Sequence, residues 1–337
     1  PLPAEDEQLF KYGVVFDLFH SYRPEFDSLI NEQIEKGDES CRVPFAKDIL
    51  RKLTAAGFSE QDSLRILALF FQMRRAFFFI GSIRGESDCV QELRKSLWNN
   101  IFTENLELYE SYLWNRMEDF STMLLGETGT GKGLAAAAIG RSGFIPFDPG
   151  TQSFKQSFVK TFMSTNLSQF PEQLIESELF GHKKGAFTGA IDSHQGIFAR
   201  CSPFGATFID EIGEVTIPVQ IKLLQVLQER EFTPVGSHYK EKFQGRVIGA
   251  TNQSLTELRK EKRFREDFYY RLCSDVIEVP PLRQRLQENP REITILLSFI
   301  IERIVGRQSP ELVAEIDRII GEQQPEHYGW PGNIREL

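Results

Sequence analysis

Gly126-Glu-Thr-Gly-Thr-Gly-Lys132 has the residue types and spacing of a phosphate cradle. Its glycines let backbone N–H groups close around phosphate oxygens, the start of the following helix adds its dipole, and Lys132 can reach terminal phosphates. Gly126, Glu127, Thr128, Gly129, Thr130, Gly131 and Lys132 are therefore candidate nucleotide contacts, as is Gly133, which stands where such loops usually carry a magnesium-binding hydroxyl. Alone, the loop also reads as a Gly-rich turn that binds nothing. Its downstream partners argue against that.

Gly205-Ala-Thr-Phe-Ile-Asp-Glu211 is an apolar run that delivers two adjacent carboxylates at its end. Asp210 is expected to hold magnesium, through water given Gly133, and Glu211 to polarise an attacking water. Gly249-Ala-Thr-Asn252 ends another apolar run with the hydroxyl of Thr251 and the amide of Asn252, placed to sense a γ-phosphate, although Thr-Asn after a strand is also an ordinary turn. Arg265 and Arg271, six apart on an expected helix, carry permanent charges that can stabilise an anionic transition state from a neighbouring subunit; surface ion pairs are the alternative.

These groups need a scaffold that brings strand ends together. After Gly85 short apolar runs alternate with helical stretches, the pattern of a mostly parallel α/β sheet, and Phe120–Leu125, Ala206–Ile209 and Arg246–Ala250 are the clearest strands. Before it, Phe45, Ile49, Leu50 and Leu53 mark a helix stopped at Gly57, and Ser59 caps a second helix that is apolar on most sides to Ile80. The expected organisation is a helical region of unknown role over 1–80, an α/β core over 81–282 and the start of a helical lid over 283–337.

The 337 residues carry 39 basic and 48 acidic side chains, a net charge of −9, which excludes a basic wrapper of nucleic acid. Residues 1–40 hold three basic and ten acidic groups, so most of the imbalance sits there and reads as a solvated surface. Four scattered cysteines without a CxxC pair, and an opening with no leader pattern, fit a reducing cytoplasm. The start at Pro1 and the close on Trp330–Leu337 suggest a fragment of a longer protein.

Glu176-Ser-Glu-Leu-Phe-Gly-His-Lys-Lys-Gly-Ala-Phe-Thr-Gly-Ala190 contains an intact GAFTGA hexapeptide. With Gln91-Glu-Leu-Arg-Lys-Ser, Leu223-Leu-Gln-Val-Leu-Gln-Glu, Pro280-Pro-Leu-Arg-Gln-Arg285 and Trp330-Pro-Gly-Asn-Ile-Arg-Glu-Leu337, residues 80 to 337 resemble the AAA+ ATPase domain of bacterial enhancer-binding proteins, the activators of sigma-54 RNA polymerase. The resemblance implies a P-loop ATPase fold with a small lid, ATP and Mg²⁺ as ligands, and a ring of six subunits. It implies that Gly185, Ala186, Phe187, Thr188, Gly189 and Ala190 contact sigma-54, with Phe187 and Thr188 at the tip. Asn166 is similar to the residue coupling Glu211 to nucleotide state, Arg265 and Arg271 to the trans-acting arginines, and Arg335 to the sensor II arginine. In such proteins DNA is usually read by a domain after the lid, beyond Leu337.

The chain departs from that pattern over Ile101–Asp119, expected as an inserted helix, over Arg141–Thr165, at the Asn289-Pro-Arg-Glu-Ile293 linker, and at Gly133. Residues 1–80 do not look like a phosphoacceptor receiver. Three readings follow: an ATP-hydrolysing activator that remodels the closed promoter complex; a hydrolysis-deficient, nucleotide-gated scaffold that keeps the sigma-54 loop; and an AAA+ remodeller of another target, which would need Gly185–Ala190 to be accidental.

Overall fold

The structure, a computed structural model, describes residues 4–324 and 328–337. Residues 1–3 of the expected helical region and 325–327 of the expected lid lie outside the described residues. The chain opens with four helices, α1 (Ala4–Ser21), α2 (Arg23–Lys36), α3 (Ala46–Ala55) and α4 (Glu60–Gly81). Gly57 turns left-handed (φ 89°) to end α3, and the Ser59 hydroxyl accepts from Asp62 N to start α4, as the sequence indicates.

Then come α5 (Asp88–Phe102), β1 (Thr122–Leu125), the P-loop helix α6 (Lys132–Gly140), β2 (Phe162–Asn166), α7 (Glu172–Phe180), β3 (Ala206–Asp210), α8 (Ile217–Glu229), β4 (Arg246–Thr251), α9 (Glu266–Leu272) and β5 (Asp275–Glu278). Three helices of the expected lid follow, α10 (Leu282–Glu288), α11 (Glu292–Val305) and α12 (Pro310–Gln323). All five strands run parallel, in the order β2-β3-β4-β1-β5. Parallel pairing sends every strand's carboxyl end to one edge, which is where the candidate residues gather. β1 begins at Thr122 rather than Phe120, whose carbonyl accepts from Arg246 Nε (2.8 Å) rather than from a neighbouring strand.

Alternation along the strands separates two cores. Leu124, Phe208 and Ile248 face the side covered by α4–α6, whereas Met123, Ile209 and Val247 face α7–α9. The first core runs without a break from Phe26, Phe70 and Phe71 of the N-terminal helices to Ile139 of α6 and Ala250 of β4. Two polar side chains of α4 tie that layer to the C-terminal end of α6. Gln72 Nε2 donates to Ser142 O (2.9 Å), and fully buried Arg75 donates to Arg141 O (2.6 Å) and Gly143 O (2.7 Å). A cation at a helix C-terminus meets the negative end of its dipole and its unpaired carbonyls.

Two departures have physical causes. Ile101–Asp119 is not an inserted helix: α5 ends at Phe102, and the rest is broken into Leu106–Leu108, a π-turn at Tyr109–Leu113 and a 3₁₀ turn at Met117–Asp119. Buried Tyr109 exchanges hydrogen bonds with Gln72 and packs on Phe102 at 5.3 Å, and this tertiary contact overrides local helix propensity. Within Arg141–Thr165, Phe147–Asp148 and Ser153–Phe154 form a short hairpin, and Phe154 stacks on Phe71 of α4 at 4.2 Å.

Candidate active site

Register places the chemistry. Leu125, the last residue of β1, pairs with Thr251, and Asn166 pairs with Asp210, so the P-loop, both carboxylates and the Thr-Asn pair share one edge. Gly129 (φ 82°) and Gly131 (φ 104°) give the loop its left-handed turns. A side chain at Gly129 would also strike Gly332 O, at 2.2 Å, so the lid segment lies directly on the loop.

Lys132 is buried, with Nζ on Gly126 O (2.8 Å) and Glu127 O (3.1 Å). Burial pulls its pKa down, opposed by the charges of Glu211 and Asp210. Glu211 sits in the left-handed region (φ 56°), an uncommon conformation for a side chain that long, and it turns the carboxylate out of the strand. Burial pushes that carboxyl above its ordinary value. Asn252 joins the parts: its N–H donates to Glu211 Oε2 (3.4 Å) and its Nδ2 to Thr128 Oγ1 of the P-loop (2.8 Å).

The remaining candidates sit at or beyond this edge as follows. Asn166 Nδ2 reaches Asp210 Oδ2 (3.4 Å) rather than Glu211, because the parallel register sets it opposite Asp210 while Glu211 turns away. Thr251 is buried and its hydroxyl accepts from Gln253 N (3.1 Å), so it shapes the turn that presents Asn252. Arg265 forks onto Asp267 and Arg271 donates to Leu227 O (2.7 and 3.0 Å); neither bonds the P-loop, Asp210 or Glu211 of its own chain among the described residues.

Arg335 lies over the loop, together with two residues that sequence reasoning missed. Asn333, buried, donates to Thr128 O (3.0 Å) and Glu127 Oε2 (3.2 Å) and accepts from Leu282 N (2.7 Å). Arg283 forks onto Glu127, and this holds the Glu127 carboxyl below its usual range. Arg283 lies in the Pro280–Arg285 motif and Asn333 in the Trp330–Leu337 motif, so a signal for both existed. Beside the loop, Thr130, Leu134, Val279, Ile334 and Arg335 wall a largely apolar cavity of about 430 Å³, and Arg84 at its margin stacks on Phe299.

The GAFTGA loop stands apart from this edge. Gly185 (φ 78°) and Gly189 (φ 100°) allow a tight turn in which Gly185 N donates to Ala190 O (2.8 Å). Phe187 and Thr188 are exposed, Ala190 is buried, and Ala186 packs on Gly236 of the 231–242 hairpin. His182 supports the base, bonded to Ser177 Oγ (2.6 Å) and Asp192 O (3.0 Å), with its ring 4.9 Å from that of Phe187.

Compared with known proteins, residues 103–278 match the family model described as "Sigma-54 interaction domain", just over half of the chain. The chain belongs to the sigma-54 interaction domain family. Among relatives, this sigma-54 interaction domain is similar to the regulatory protein AtoC of Escherichia coli K12, 37% identical over 243 residues, or 71% of this chain and 49% of that protein. The Nif-specific regulatory protein of Azotobacter vinelandii is 36% identical over 263 residues, 75% of this chain and 47% of that protein. The chain thus spans about half the length of the curated relatives it matches. Among solved structures, NtrX from Brucella abortus in complex with ADP aligns with a TM-score of 0.54 at 20% identity, covering 85% of this chain and 58% of that one. Hsp104 of S. cerevisiae in its casein complex aligns at 0.52 and 17%, covering 87% and 48%. Both likenesses concern the fold alone, a parallel α/β core flanked by helices. No helix among the described residues is long and apolar enough to cross a membrane.

Proposed function

We propose that this domain hydrolyses ATP and uses the free energy to move its GAFTGA loop against sigma-54 RNA polymerase, remodelling the closed promoter complex. The observation that carries the reading is Asn252, which bonds the P-loop through Thr128 and the Glu211 carboxylate at once. Phosphate and water-activating base then share one reporter.

The P-loop N–H groups and Lys132 would hold the phosphates, with Lys132 exchanging the carbonyls of Gly126 and Glu127 for phosphate oxygens. Glu211 would orient the water and take its proton, a role its raised pKa favours because a stronger base accepts the proton more readily. The residues suit magnesium: the ion binds through one or two carboxylates plus phosphates and water, and Asp210 supplies one carboxylate beside the loop, already held by Asn166 Nδ2 and Glu211 N. When bound, the ion neutralises phosphate charge. The cavity of about 430 Å³ next to Thr130 and Arg335 has the size and apolar lining for a nucleoside.

Arg265 and Arg271 would act on the neighbouring subunit's nucleotide in a hexameric ring, which makes turnover depend on assembly. Phe187 and Thr188 are exposed as a partner-reading tip requires. DNA recognition would lie outside this chain, and the working compartment would be the cytoplasm. Gly133 favours a second reading, a nucleotide-gated scaffold, since no hydroxyl is present there to ligate the metal.

The test measures nucleotide binding and turnover against protein concentration. Lys132→Ala should lose binding. Glu211→Gln should keep it and lose turnover about 100-fold or more. A wild-type chain that binds ATP, assembles and hydrolyses no faster than Glu211→Gln would leave the scaffold reading.

A further inference from the structure

A second cavity, of about 250 Å³, opens at the other edge of the sheet, where the strands begin. Gln72 of α4, Trp114 and Met117 of the segment after α5, and Phe144 beyond α6 contribute to its walls. These are the regions in which the chain departs from the family pattern or precedes the family match. Trp114 and Phe144 meet edge to face at 4.6 Å and give the cavity an aromatic side. An apolar cavity of roughly 150 Å³ suffices for benzene, so a substituted ring fits here.

Arg246, the first residue of β4, also lines the cavity and is only 8% exposed. Its Nε donates to Phe120 O (2.8 Å), Nη1 to Asn100 O (3.3 Å) and Nη2 to Thr122 Oγ1 (2.9 Å). All three acceptors are neutral, and a guanidinium has five N–H groups, so two remain. The strongest opposing charge is Asp275, whose carboxylate is instead bonded by Asn100 Nδ2 at 2.5 Å. Buried charges are normally paired, and a planar guanidinium with free N–H groups selects a carboxylate.

We propose that this cavity is a binding site for a small aryl carboxylate, its ring against Trp114 and Phe144 and its carboxylate on Arg246. Glu118 lines the same cavity. Burial pushes its carboxyl up, and its charge, when present, opposes an anionic guest. The site also touches Ile139 and Gly140 at the far end of the P-loop helix and the start of β4, whose other ends carry Lys132 and Thr251. Occupancy would therefore bias the phosphate edge. That last step rests on the ATPase reading; the binding itself does not.

Calorimetry on the full 337-residue chain with sodium benzoate, benzyl alcohol and benzylamine tests the site. Benzoate should bind about tenfold or more tightly than the alcohol, the margin of a charge-assisted hydrogen bond, and should show NMR contacts from its ring to the Trp114 indole. Glu118→Gln, a conservative change at a half-buried position, should tighten benzoate and weaken benzylamine. Arg246→Gln should erase the preference for benzoate, with retained benzyl alcohol binding showing that the cavity is still formed. Benzylamine or the alcohol binding as well as benzoate, or benzoate affinity indifferent to Glu118→Gln, would overturn the proposal. If benzoate binds as expected and ATP turnover stays unchanged, the site stands and its coupling to the phosphate edge falls.

Discussion

Replacing Asn333 with Ala measures how firmly the lid segment holds the phosphate loop. Asn333 Oδ1 is the acceptor for the Leu282 amide, and its Nδ2 supports Thr128 O and Glu127 Oε2. Alanine leaves the buried Leu282 N–H without a partner, at about 1–3 kcal/mol, and loses two further bonds worth about 1 kcal/mol each. Asn333 is also left-handed (φ 53°), a conformation that Asn tolerates better than Ala by about 1 kcal/mol. Neighbouring losses are not fully additive, so the loop–lid contact should weaken by about 4 kcal/mol. Hydrogen exchange reads this directly at the Leu282 amide and at Ile334 N, which donates to Gly129 O (3.1 Å). Local opening that is easier by this amount speeds exchange by about three decades. Asn333→Asp keeps the acceptor and should restore protection at Leu282, but it sets a second carboxylate against Glu127. If both amides in Asn333→Ala exchange within tenfold of wild type, Asn333 is not the clamp.

Three further outcomes can be checked. Because burial raises the Glu211 pKa, and the group must be ionised to act as a base, turnover should rise with pH through a value above the ordinary glutamate range; an acid limb at about 4.3 would remove Glu211 from that role. Arg271→Ala should lower turnover more than nucleotide affinity, and in mixed rings the loss should fall on the neighbour's site, so a purely cis defect would refute the trans assignment. Thr188→Ala should leave ATP turnover within about twofold and abolish open-complex formation, since the residue is exposed and remote from the P-loop edge. Loss of turnover in that variant would count against the loop's separate role.

Local signals in the sequence located most of the scaffold. The P-loop, the strand ends at Asp210 and Thr251, the Ser59 cap and the Gly57 stop are each written in a few adjacent residues, and the structure places them within a residue or two. What was illegible depends on partners distant in the chain. Gln72 and Arg75 sit in an apolar helix and satisfy backbone carbonyls some seventy residues on, and a carbonyl acceptor has no residue signature. Asn166 chose Asp210 over Glu211 because of register and one left-handed residue, neither of which is encoded in the motif. The broken path of 101–119 follows from the burial of Tyr109 against Gln72, a contact between segments that look independent in sequence.

The grip of α4 on the P-loop helix also sets an order of events during synthesis. Gln72 and Arg75 leave the ribosome before Arg141, Ser142 and Gly143, the residues whose carbonyls they need. At roughly 5–20 residues per second, α4 waits about 4–14 s for those partners. Throughout that interval Phe71 and Phe79, both buried in the finished protein, lack the rings of Phe154 and Phe158 that pack on them. The first eighty residues should therefore be chaperone clients on the nascent chain, released only once the P-loop helix has emerged to meet them.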